Sequence, residues 1–161
     1  MHILKSEDQP QYKRADDDAV IQQALQILTK RLVRVHAFTA NSSPDTKAYL
    51  TLHHAAREAE AFGVLFLDNR HRLIADEVMF YGTLNGTAVY PREVMKRALT
   101  LNAAAMILYH NHPSGVSEPS RADELLTTQL KEAAAMLDMR ILDHMVIGAE
   151  GVVSFSERGL L

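Results

Sequence analysis

The chain has 161 residues, the length of one ordinary domain, and can bury roughly two-thirds of the surface its unfolded form exposes without a covalent staple. It contains no cysteine, which excludes a disulfide framework, a thiolate zinc knuckle, a CxxC redox pair and a cysteine nucleophile, and leaves His, Asp and Glu to hold any transition metal. With 17 Lys and Arg against 20 Asp and Glu, the formal charge of −3 gives no basic surplus of the kind that drives non-specific nucleic-acid binding.

Residues 1–18 are polar, without the roughly 7–15-residue apolar core of a signal peptide, and no later run approaches the ~18 apolar residues of a membrane span. A soluble cytoplasmic protein with no membrane partner is expected. Asp16, Asp17 and Asp18 suit the start of a helix in which Ile21, Ala24, Leu25, Leu28 and Leu32 form one apolar stripe and Lys30, Arg31 and Arg34 occupy the C-terminal end. Such a helix serves packing or a contact with a second copy in a homo-oligomer. Ser43-Pro44 reads as an N-cap with proline at N1, opening a helix through about Glu58. Phe62–Leu67 is an apolar run bounded by the turn Asp68-Asn69-Arg70, and a second strand from about Leu73 to Tyr81 completes a hairpin.

Gly82 to Gly86 reads as a loop, after which Pro91 opens a helix whose Val94, Ala98 and Leu101 share a face. Ala103 to Tyr109 predicts a buried strand, residues 110–119 a loop, and about Ser120 to Leu137 a helix. Ile141–Ile147 and Val152–Phe155 close the chain as strands around a turn at Gly148–Gly151. Alternating helices and strands predict a layered α/β or α+β fold with a mixed β-sheet flanked by helices.

The chemistry concentrates between Tyr109 and Asp123. His110 and His112, two apart as the chain leaves a strand, point to the same side and can share one ion, since side-chain direction alternates with period two. Neutral imidazole is the commonest protein ligand for zinc, and a carboxylate would complete a three-ligand set with a fourth position for water. Pro113 and Gly115 turn the chain just after the histidines. Asp123 lies three residues after a candidate N-cap, Ser120, where a short carboxylate can reach back toward the strand end. With eight histidines, an H-x-H pair also arises by chance, and S-x-x-D before an apolar run is equally a plain capping box; the capping and ligand roles are compatible.

The pattern H-x-H-P-x6-S-x2-D, carried by His110, His112, Pro113, Ser120 and Asp123, resembles the signature of the JAMM (MPN+) metalloprotease family. The stretches Val64–Asp68, Tyr90–Glu93, His110–Gly115 and Leu142–His144 further resemble its RadC branch, over about residue 40 to the C-terminus. The resemblance implies an MPN/JAMM-like sheet with cytidine-deaminase-like layering over residues 39–161, preceded by a polar lead and helical extension over 1–38. It implies one zinc per chain on His110, His112 and Asp123. It also implies a general base at Glu60, since Glu60-Ala61-Phe62-Gly63 matches the family's E-x-x-G-like context, and an oxyanion donor at Ser120. Glu58 stays an alternative base until the local register is known. Ser114 reads as a turn residue. His144, beside Asp143, is either a partner behind the ligands or an ordinary core histidine, with the second preferred.

Three functions follow from that likeness. The first is a zinc peptidase or isopeptidase acting on a peptide or protein substrate. The second is a DNA-repair-associated role, because longer RadC members resemble this domain fused to a helix-hairpin-helix module; the ~40 preceding residues here show no G-x-G hairpin pattern. The third is a metal-free MPN scaffold, against which the full ligand set argues. A zinc nucleobase deaminase is disfavoured by the missing H-x-E and P-C-x-x-C elements.

Overall fold

A computed structural model describes residues 19–24, 38–82 and 88–161. The chain divides into two units, Met1–Val35 and His36–Leu161. In the first, residues 19–24 are helical and exposed, where the stripe beginning at Ile21 and Ala24 predicts a helix. The rest of that stripe, and Asp16 to Asp18, lie outside the described residues.

The second unit begins with α1 (Ser43–His54), then a hairpin of β1 (Ala61–Leu67) and β2 (Leu73–Tyr81). The N-cap of α1 is Ser42, one residue earlier than expected, its hydroxyl accepting the Asp45 N–H at 3.3 Å, with Pro44 in the first turn. The helix ends at His54 rather than near Glu58 because the next backbone groups bond elsewhere. Ala61 N–H donates to Asn111 Oδ1, and the carbonyls of Arg57 and Ala59 accept from Asn111 Nδ2. The hairpin turn is held by Asp68 Oδ1, which accepts the backbone N–H of Arg70 and Arg72 at 2.9 and 3.0 Å.

There follow α2 (Pro91–Thr100), β3 (Ala105–Asn111), α3 (Arg121–Ala135), β4 (Arg140–Gly148), β5 (Gly151–Ser154) and a short helix α4 (Phe155–Arg158). Phe155 was expected to end a strand but starts this helix, because the Ser154 hydroxyl accepts the Glu157 N–H at 3.1 Å and caps it. β3 runs two residues past the expected Tyr109, since His110 and Asn111 still pair with Val146 and Ile147 of β4. Of the segment expected to be a loop after β2, residues 83–87 lie outside the described residues.

The sheet order is β2-β1-β3-β4-β5, with β3 and β4 parallel and the other neighbours antiparallel. This is the mixed sheet the alternation predicts, and the helices flank both of its faces. The central strands β1 and β3 are buried throughout, so they read as unbroken apolar runs rather than alternating ones. Their period of two nevertheless sorts side chains by face. Phe62, Val64, Phe66, Met106 and Leu108 meet Val94 and Ala98 of α2 and Leu130 and Ala134 of α3. Leu65, Leu67, Ile107 and Tyr109 face the other way, toward Leu50 of α1.

On the α1 face, Asp76 of β2 ties three elements together. Its carboxylate accepts from Tyr109 Oη at 2.6 Å, Tyr49 Oη at 3.1 Å and His54 Nε2 at 2.8 Å, while His54 Nδ1 accepts from Arg57 Nε. Tyr109 reaches Asp76 across Gly63, where any Cβ would overlap the phenol ring, so the position admits no side chain. Burial alone would raise the Asp76 pKa, but the hydrogen bonds from His54, Tyr109 and Tyr49 hold it below its ordinary value. Burial and the same carboxylate push Tyr49 up to about 12.

A folded-state pKa below the unfolded value of about 3.9 means this contribution is complete above that value and is lost as pH falls through the folded pKa. Asp76→Ala leaves the hydroxyls of buried Tyr109 and half-buried Tyr49 without their acceptor and is expected to cost about 1–3 kcal/mol by urea denaturation at pH 7. The gap between wild type and variant should narrow below about pH 4; an equal gap at pH 3 and pH 7 would refute the assignment.

Candidate metal centre

The sequence places its candidate ligands at the end of β3 and the start of α3, and the fold brings them to one point on the α2/α3 face. His110 is the next-to-last residue of β3 and His112 follows its end. Their Nε2 atoms lie 2.9 Å apart, as two side chains on the same side of an extended chain should. Asp123 Oδ1 is 3.3 Å from His110 Nε2, and Oδ2 is 3.8 Å from His112 Nε2. One ligand atom from each residue can be chosen so that all lie within 4.8 Å of one another.

Asp123 serves both roles read from its position. Its Oδ2 accepts Ser120 N–H at 2.7 Å and Ser120 Oγ–H at 2.6 Å, while Asp123 N–H donates to Ser120 Oγ, a closed capping box at the start of α3. Oδ1 is left facing the His110 imidazole. Burial pushes the carboxyl up, but the His110 ring and the two Ser120 donors outweigh it and hold Asp123 well below the usual carboxylate range. Asp123 is therefore an anion at neutral pH.

The donor set fits a metal ion. Val116 O, an acceptor only, lies 2.8 Å from His112 Nδ1, so that nitrogen carries the hydrogen and a neutral His112 presents a bare Nε2. Two imidazole nitrogens and a carboxylate oxygen at this spacing converge on one point that a cation can occupy. Ligands each about 2.0–2.1 Å from one zinc ion can be no more than about 4 Å apart, and the separations of 2.9 and 3.3 Å respect that bound.

The loop carrying His112 is fixed against the end of β4. His112 N–H donates to Ile147 O at 2.9 Å and Ala149 N–H to Gly115 O at 2.8 Å. A Cβ at Gly148 would strike the Gly115 carbonyl, so this approach requires glycine there. Ser114 lines the cleft beside Pro113 on this turn.

A cleft of about 680 Å³ opens beside the ligands, lined by Glu58, Ala59, Glu60, Gly82, His112, Pro113 and Ser114. Both candidate bases reach it, so lining alone does not separate them. Their anchoring differs. Glu60 is half-buried and directly precedes β1, its carbonyl accepting Gly82 N–H at 2.8 Å and the next N–H held by Asn111, whereas Glu58 is exposed. Ser120 sits at the rim of the ligand set with its hydroxyl hydrogen on Asp123.

Three residues behind the site carry more than the sequence alone reveals. Asn111, between the two histidines, points away from them and satisfies its amide fully by pinning residues 57–61 to the end of β3. His144, fully buried, does not pair its ring with Asp143, whose carboxylate instead takes His144 N–H, Ser154 Oγ–H and Ser156 N–H. The ring contacts His110 and Thr127, so the preference for an ordinary core histidine is corrected. Burial above all lowers its pKa well below the usual range, which keeps it neutral. The spacing of Thr127, one turn after Asp123 on the same helix face, was the one available signal.

The described residues contain no helix long and apolar enough to cross a membrane. Residues 40–160 match the family profile described as RadC-like JAB domain. Among curated relatives, UPF0758 proteins of Leptothrix cholodnii and Methylibium petroleiphilum are 56% and 57% identical over 149 residues, and one of Vibrio atlanticus is 52% identical over the same length. Each alignment covers 92% of this chain but 66% of the relative, so the chain spans just under two thirds of their length. With the motif residues gathered at one site and the match running through nearly the whole second unit, the chain belongs to the RadC-like JAB domain family.

Proposed function

We propose that the chain is a zinc-dependent hydrolase of peptide or isopeptide bonds, with His110, His112 and Asp123 as ligands and Glu60 as general base. The observation that carries this reading is the convergence of three ligand atoms beside a cleft that also holds Glu60. Zinc bound there would supply Lewis acidity for the scissile carbonyl and a water acidified toward a pKa of ~7. Glu60 would accept the proton of the attacking water and deliver it to the leaving nitrogen. The Ser120 hydroxyl lies 2.6 Å from the ligand carboxylate, and serving an oxyanion requires its hydrogen to turn away from Asp123 Oδ2. The intact ligand set favours this reading over a non-catalytic scaffold.

The test is metal analysis of the purified chain together with a screen of mixed peptides and isopeptide-linked proteins. One zinc per chain is expected, with cleavage abolished by a chelator and restored by zinc. Equal cleavage by protein stripped of metal would end the proposal.

A further inference from the structure

Behind the ligands, a line of hydrogen bonds starts on one of them and ends on another. Thr127 Oγ1 lies 2.6 Å from the Asp123 carbonyl and 2.6 Å from His144 Nδ1, and His144 Nε2 lies 2.8 Å from His110 Nδ1. A hydroxyl has one hydrogen, and a carbonyl can only accept. The Thr127 hydrogen therefore goes to Asp123 O, and Thr127 Oγ1 must accept from His144, which places a hydrogen on His144 Nδ1.

The His144 ring is fully buried, stacked on Phe155 at 4.7 Å with Phe62 edge-on at 5.7 Å, surroundings that disfavour an imidazolium. A neutral ring with hydrogen on Nδ1 has a bare Nε2, and that nitrogen can only accept. His110 must then donate from Nδ1. In a neutral His110 this leaves the lone pair on Nε2, the atom that faces His112 and Asp123.

We propose that Thr127 and His144 are positioning residues of the metal centre, a hydrogen-bond line that fixes His110 in the Nδ1–H form with Nε2 free to ligate. The polarity of the line is set by the helix backbone. Reversing it would remove the hydrogen from the Asp123 carbonyl and put one on His110 Nε2, which blocks ligation. The inference rests on His110 being a ligand, but its first readout requires no metal.

In metal-free protein with 15N-labelled histidine, the ring spectra should show hydrogen on Nδ1 of His144 and of His110 and none on His144 Nε2. Hydrogen on His144 Nε2 in the wild type would overturn the proposal. Thr127→Val should shift His144 toward the Nε2–H form and weaken zinc binding, in competition with a chelator, by roughly 10–100-fold. Thr127→Ser, which keeps the hydroxyl, should restore both readouts. A folded Thr127→Val protein with wild-type spectra and affinity would also overturn it. If the wild type binds no zinc, the hydrolase reading fails, while the spectra still decide the hydrogen-bond line.

Discussion

His112→Ala is expected to leave a folded protein without zinc and without hydrolytic activity. His112 contributes one of three ligand atoms, its Nε2 faces the other histidine at 2.9 Å, and the loop that carries it is bonded to β4 through backbone groups rather than through the imidazole. Removing the ring should therefore spare the fold and empty the site. The loss of zinc affinity should exceed the roughly 10–100-fold typical of partners behind the ligands. Metal analysis and circular dichroism on the same sample check both halves. Retention of one zinc per chain by a folded variant would remove His112 from the ligand set.

Glu60→Gln is expected to do the opposite: zinc stays and turnover goes. Glutamine keeps the size and hydrogen-bonding reach of the side chain but cannot take up a proton at neutral pH, so kcat should fall by about 10²–10⁴-fold with little change in metal content. Glu58→Gln should stay near the wild-type rate, because Glu58 is exposed whereas Glu60 is half-buried directly before β1. The reverse pattern, an inactive Glu58 variant and an active Glu60 variant, would transfer the base to Glu58.

Much of this site was legible because its ligands are local in sequence. Period-two alternation put His110 and His112 on one side, and helix capping put Asp123 within reach, both rules of local geometry. The hairpin and the mixed sheet followed from apolar runs and turn residues. The ends of elements were harder. α1 was expected to run to Glu58 because nothing in residues 55–60 shows that their partners come from Asn111, some fifty positions away. The involvement of His144 was missed for the same reason, since its contact with His110 arises only when β4 lies parallel beside β3. Asp143 beside it offered a misleading neighbour, because adjacent residues in a strand face opposite ways.

The segment His110–Asp123 closes a short loop across a single strand–helix junction, whereas residues 57–60 are held beside it by bonds to distant partners, Asn111 and Gly82. Short closures forfeit little chain entropy. Gentle warming or mild urea should therefore release the distant stretch first. The outcome would be a loaded but idle protein, in which the ion outlasts the group meant to work beside it.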